Sequence, residues 1–458
     1  MWRKELTPGI KLFAVFVFVL VAVPKANLKI GPLPVYLTDV LIFLLLCSVQ
    51  KLPPLPRRRR LYSGTVSTLL IIALASEVAG MIRFGTLLDS AYMMGRTALA
   101  FSVFFLAAAY VRTRGDIELL LKAIAAGVIV TASLMILSSL PATRGMVSDL
   151  VFSHRFLEPA SDRLQLRLDG APERGIRGRT LVGVSILGAT FINICWPFAA
   201  LLLRWPWMIG KWRRIAFAAC LLAPMGVLMS YSRGPLMASA LVVIAVFFLG
   251  LRQMKRGILL PVAIGASIVF FIGIGSQVFY FERLERSFGT MLESPYENTR
   301  ESERSLAYSE PFTHAVQNPG FLLAGEGVAV RYTASGIRAE QHGQATHAVF
   351  AMAYYSYGLI AALLYISLIA RALFHVGTIA LQRRRTLDKL LAQPLFLSLV
   401  AIVPWAMFGH AAVSTPRGAM LLFLIIGLVS ATSLFRVPAR RRPSRRQTHG
   451  HRRHPAFG

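Results

Sequence analysis

Acidic residues are scarce in this chain. Its 458 residues hold 21 Asp and Glu against 50 Lys and Arg, a formal net charge of +29, yet only 16% of the chain is charged. Cysteine is scarcer still. Cys47, Cys195 and Cys220 each sit inside an apolar run, which argues against a disulfide framework and suits small core residues. No nucleotide-binding motif occurs: Gly325-x-Gly327 lacks a third glycine and does not open a helix cleanly. The loops assigned below to the outer side carry no Asp-rich metal motif. The short alternating strands of a membrane barrel are missing. No internal repeat emerges, and the inverted repeat typical of many secondary transporters is not visible.

Apolar residues are abundant. They make up 55% of the chain, the mean hydropathy is +0.58, and they come in runs of about sixteen to twenty-four residues. Runs of that length match the hydrocarbon thickness of a bilayer, so the chain reads as an all-α polytopic membrane protein. The basic excess then needs no nucleic acid, because Lys and Arg collect in cytoplasmic loops and meet anionic lipid heads there.

About twelve spans are expected, near 10–24, 35–50, 64–82, 90–111, 117–140, 180–203, 215–231, 235–250, 257–278, 347–370, 395–412 and 418–435. The first run is followed by Pro24-Lys25 and no small-residue cleavage site, so it reads as a span rather than a removed signal. Arg3-Lys4, the 51–60 stretch KLPPLPRRRR, Arg112 and Arg114, the basic residues of 204–214 and 252–256, and 383–385 all fall on one side. That side is read as the cytoplasm, with both termini inside. Residues 1–436 form the membrane domain. Residues 437–458 form a basic cytoplasmic tail, read as a solvated, lipid-touching segment. His449, His451 and His454 in that tail leave metal binding open as a second reading.

Two long loops, about 141–179 and 279–346, then face outward, and the second is rich in glutamate. Ionisable groups in or beside spans are costly and mark function. They gather at the outer ends: Asp39, Glu77, Arg83, Asp89, Arg96, Arg233, His347, His410 and Arg417. Arg233 stands in a Ser-Arg-Gly-Pro corner between two apolar runs. Gly234 and Pro235 suit a tight turn there, and Pro235 suits the first turn of the following helix. A helix N-terminus beside a guanidinium is a natural anion site, although snorkelling or pairing with Glu77 serves equally well.

Three stretches in order carry a resemblance. They are YSRGPLMASALVVIAVFFLG from residue 231, QNPGFLLAGEGVAVRY at 317–332, and THAVFAMAYYSYGLIAALLYISLI at 346–369. Together they resemble the O-antigen ligase and O-antigen polymerase family of bacterial inner-membrane glycosyltransferases, over roughly 180–370. The resemblance implies a glycosyltransferase-C-like fold with a large periplasmic loop carrying short helices. It implies transfer of a glycan from undecaprenyl pyrophosphate to a saccharide acceptor, either lipid A–core or a growing repeat unit. Ala348 stands where the ligases favour Asn and Ala351 where they carry Leu, so ligase and polymerase both stay open.

By the same resemblance Arg233 binds the diphosphate, and His347 takes or orients the acceptor hydroxyl's proton. Arg331, with Arg338 second, is the loop partner for the leaving group, which arginine can stabilise without metal or cofactor. Glu77 and Arg96 either shape the lipid-phosphate cleft or form a buried ion pair with each other. Tyr354 lies two turns beyond His347 on one helical face and either lines the sugar path or packs in the core. His342 and His347 are five apart, which does not put them on one helix face as a metal pair. The competing readings are a flippase for the lipid-linked donor and a non-catalytic envelope scaffold.

Overall fold

The computed structural model describes residues 7–30, 33–49, 61–147, 180–182, 185–205, 210–230, 232–248, 311–329, 348–381, 387–408 and 411–432. The expected span at 257–278, the basic stretches at 51–60 and 252–256 and the tail lie outside them. The described chain is mostly helical. It opens with α1 (Pro8–Ala22), an antiparallel hairpin of β1 (Asn27–Ile30) and β2 (Leu33–Tyr36), and α2 (Leu37–Val49). Next come α3 (Ser63–Phe84), α4 (Leu87–Tyr110), α5 (Arg114–Ser139) and the short α6 (Pro141–Val147). The middle holds α7 (Ser185–Arg204), α8 (Lys211–Leu228) and α9 (Arg233–Phe248). After helical residues 311–317 and a 3-10 turn at Pro319–Leu322 come α10 (Val349–Tyr357), α11 (Leu359–Ala380), α12 (Leu387–Phe408), α13 (Ala411–Ser414) and α14 (Pro416–Thr432).

Among the described residues, six helices are long and apolar enough to cross a membrane: α3, α4, α5, α7, α11 and α12. Shorter apolar helices occupy Pro8–Ala22, Leu37–Val49, Gly234–Ala245 and Pro416–Ala431. The chain is thus a multi-pass membrane protein by length and composition. Burial separates centre from rim: Ser185–Leu203 is 89% buried, whereas Ser63–Phe84 is 33% buried. On the rim, Ile71, Ile82, Phe43 and Phe374 stay exposed, as side chains against lipid must. Cys47 is exposed on that surface, against the expectation of a core cysteine, while Cys195 and Cys220 are buried.

Polar groups inside the bundle pin the helices in register. Arg96 in the first half of α4 meets Asp39 near the start of α2, and Tyr110 at the end of α4 meets Ser48 and the Leu45 carbonyl in the last turns of α2, so these two helices run parallel. Thr131 donates to the Val21 carbonyl, joining the last turns of α5 to the end of α1. Ser430 donates to the Leu61 carbonyl, placing the end of α14 at the start of α3. Small residues let backbones approach: Gly127 faces Val21, Gly226 faces Ala132 and Gly427 faces Phe104 and Ala107. A bilayer offers little hydrophobic force between helices, so this close packing and these hydrogen bonds carry the association.

The expected span at 347–370 is two helices. Gly358, at φ +94°, breaks α10 from α11, and α11 runs on to Ala380. The backbone of Phe321 to Ala324 passes the break so closely that a Cβ on Gly358 would lie 2.9 Å from the Phe321 oxygen. Hydropathy alone reads through this break, because both halves are apolar.

Candidate functional site at the loop-bearing end of the bundle

Segment 311–329 is the part of the second long loop that the structure describes, and it lies on the helices. Two backbone bonds tie it to the end of α10: Glu326 N–H to the Tyr355 oxygen at 2.9 Å, and Gly327 N–H to the Ser356 oxygen at 3.0 Å. On α3, Ser76 Oγ accepts from Gly325 N–H at 3.2 Å. Glycine is needed at 325 because a Cβ would run into the backbone of Tyr355 to Tyr357. Gly327 adopts φ +80° beside the Glu77 carboxylate.

Glu77 itself is fully buried. Its carboxylate accepts from Val328 N–H at 2.6 Å and from Ala329 N–H at 3.3 Å. Two backbone amides therefore bond the carboxyl oxygens, as an N-cap side chain bonds the head of a helix. The expected Glu77–Arg96 pair does not form. Arg96 instead donates to Asp39 Oδ2 at 3.0 Å, stacks over Tyr36 with its guanidinium carbon 4.0 Å from the ring centre, and lies 5.6 Å from that of Tyr92. Tyr92 in turn bonds the Pro34 carbonyl of the hairpin. Arg96 thus belongs to a cluster with α2 and the hairpin, and Glu77 to the loop segment. Each found a partner nearer in space than the one the sequence offered.

Tyr354 is also fully buried, and its hydroxyl lies 2.7 Å from Nδ1 of His314 on the loop segment. The His314 ring stands edge-on to Phe321, 4.8 Å between centroids, and 5.7 Å from Tyr355. Sequence reading passed over His314. Its only local signal was position, three residues before the Gln317-Asn318-Pro319 stretch.

Arg233 is the first residue of α9, and Pro235 sits in that helix's first turn as expected. The turn itself precedes Arg233, at Met229 and Ser230, and Gly234 lies within the helix with open space at its Cβ position. The chain therefore does not depend on Gly234 to reverse direction. Asn193 of α7, which sequence reading also missed, holds the start of α9. Its Nδ2 donates to the Pro235 carbonyl and its Oδ1 accepts from Ser239, both at 2.7 Å. The Arg233 side chain, Arg331, Arg338 and His347 lie outside the described residues.

No protein-family model matches this chain, and no curated protein matches it either.

Among the described groups, Glu77, Ser76, Tyr354 and His314 meet through segment 311–329 and α10. Arg96 lies in the first half of α4 and Asp39 near the start of α2, and α4 follows directly on the end of α3. Bonds through α5, α1 and the hairpin lead to the same end of the bundle, where α9 begins. The arrangement is a loop seated on helix ends and held by backbone-directed bonds.

Proposed function

We propose that this protein transfers a glycan from undecaprenyl pyrophosphate to a saccharide acceptor at the outer face of a bacterial inner membrane, without a metal or cofactor. The membrane domain would carry about twelve spans, with both termini in the cytoplasm. One observation carries the reading. The Gly325-x-Gly327 stretch is seated on α3 and on α10, so two of the three stretches of the resemblance are brought together. The third begins at the head of α9, where Asn193 holds the helix whose first residue is Arg233.

In this reading the seated loop delivers Arg331 to the diphosphate beside Arg233. As the C1–oxygen bond of the donor sugar breaks, the pyrophosphate gains charge, and fixed guanidinium groups stabilise it. Arg338 is the second loop cation. His347, two residues before α10, meets the acceptor. Anionic lipids meet the basic cytoplasmic loops.

The test supplies purified protein with undecaprenyl-pyrophosphate oligosaccharide and each acceptor, with EDTA present. Product ladders identify a polymerase, and a single transfer to lipid A–core identifies a ligase. Arg233→Ala and His347→Ala should abolish product while the protein still inserts. No product with any acceptor rejects the reading in favour of transport of the lipid-linked donor.

A further inference from the structure

A small cavity lies among α4, α10, α11 and α14, beside the break at Gly358. Thr97 and Ala100 of α4, Tyr357 at the end of α10, Tyr365 of α11 and Ala419 of α14 help to line it. Each of these residues is more than nine-tenths buried. The short side chains of Ala100 and Ala419 leave the gap, and three hydroxyl-bearing side chains border it.

Tyr365 carries the signal. Its ring is wedged among Phe101, Tyr357 and Phe423, with centroids 6.4, 6.4 and 6.2 Å away. Those rings fix the direction of its hydroxyl. The hydroxyl is buried and, among the described residues, meets no hydrogen-bond partner. A buried phenol ordinarily finds one. The other two hydroxyls at the cavity, those of Thr97 and Tyr357, bond each other. That bond uses one of their two protons, so the pair keeps a second proton and lone pairs to offer. The cavity has room for about one water, and a water in such a place needs two or more polar partners. The three hydroxyls supply them.

We propose that this cavity binds one ordered water, which joins the Tyr365 hydroxyl to the Thr97–Tyr357 pair. The water then ties α11 to α4 and to the end of α10, across the break. Ser356, the neighbour of Tyr357, accepts from Gly327 N–H through its carbonyl, so the same end of α10 carries the seated loop. The water site stands independently of glycan transfer.

The full chain in detergent is melted as wild type, Tyr365→Phe, Thr97→Val and the double variant. Removing a hydroxyl that bonds a water should lower the melting temperature of Tyr365→Phe by about 2–4 °C. In the Thr97→Val background the same change should cost clearly less, because the water has already lost a partner. Tyr365→Phe melting at or above wild type overturns the proposal, since a hydroxyl buried without a partner is better removed. An equal loss in both backgrounds overturns it as well. A structure of the wild-type protein at a resolution that shows waters decides the matter even if Thr97→Val does not fold. Density about 2.7–3.0 Å from Tyr365 Oη, and as far from Thr97 Oγ1 or Tyr357 Oη, supports the water. A cavity without density overturns it, as does density at about 2.3–2.6 Å from several oxygens, which would mark a cation.

Discussion

At the residue scale, Glu77 shows how a buried carboxyl group is accommodated in an apolar helix. Alone it would be costly, yet Val328 and Ala329 N–H groups surround it. Replacing it with Ala removes the acceptor shared by two buried amides and should cost about 2–4 kcal/mol, at roughly 1–3 per lost buried partner less partial relaxation. Glu77→Gln keeps one acceptor but turns an NH2 toward a neighbouring N–H, so it should fall between Ala and wild type. Melting in detergent measures the order. Limited proteolysis within 318–329 should speed up in the same order. If proteolysis there is unchanged in Glu77→Ala, the carboxylate does not hold the loop. A glutamate in an apolar run was visible in the sequence as an anomaly. Its partners were not, because they are backbone amides some 250 positions away and carry no residue type to recognise.

Arg96 tests the alternative of a phosphate-binding role against a structural one. Its carboxylate partner, Asp39, has 11% of its side-chain surface exposed, as Arg96 does. Asp39→Ala leaves a desolvated guanidinium that, among the described residues, keeps the Tyr36 and Tyr92 rings, and should destabilise by about 3–5 kcal/mol. The double change Asp39→Leu with Arg96→Met should recover most of that loss, because it removes both charges. If the double variant is as stable as wild type and keeps the transfer activity proposed above, Arg96 is a packing residue. If it is stable but inactive, Arg96 touches the substrate.

At the element scale, the break between α10 and α11 is decided by contact rather than by propensity. The sequence YSYGLIAALL reads as continuous helix, with one glycine that an apolar span tolerates. Only the approach of Phe321 to Ala324 explains why Gly358 takes φ +94°. Gly358→Ala should therefore cost about 1–3 kcal/mol from backbone strain alone, and more if the loop must shift. A thermal melt of Gly358→Ala beside Gly95→Ala makes the comparison, since Gly95 has open space at its Cβ and normal helical backbone. Equal loss at the two sites would show that the break tolerates a side chain. The head of α9 depends on contact in the same way: Asn193 spends its whole amide on one turn of a helix 40 positions later. Asn193→Leu should loosen that turn by about 1–2 kcal/mol, read as a lower melting temperature.

At the scale of the whole molecule, the bundle's polarity organises everything else. Asp39, Arg96, Glu77, the seated loop and the start of α9 lie at one end, while Tyr110, Ser48, Leu61 and Ser430 mark the other. The glycan-transfer proposal takes the first end as the outer one, from the positive-inside rule. In a Cys47→Ser background, Leu323→Cys should react with a membrane-impermeant maleimide in intact cells, since Leu323 is 69% exposed. A cysteine placed at Leu55, within the basic 51–60 stretch, should react only after the membrane is opened. The reverse pattern would place Arg233 in the cytoplasm and end the glycan-transfer proposal.

Hydropathy and charge in the sequence were enough to establish a helical, multi-pass membrane chain and the approximate position of most of its helices. Those properties are local, because each span must satisfy its own backbone in hydrocarbon. The packing alone decided that Glu77 and Arg96 take different partners, that Tyr354 is buried behind His314, and that one expected span is two. Those outcomes depend on which distant segments meet. A hydrogen bond to a backbone amide, or a close approach that only glycine permits, leaves no periodicity in the chain from which to foresee it.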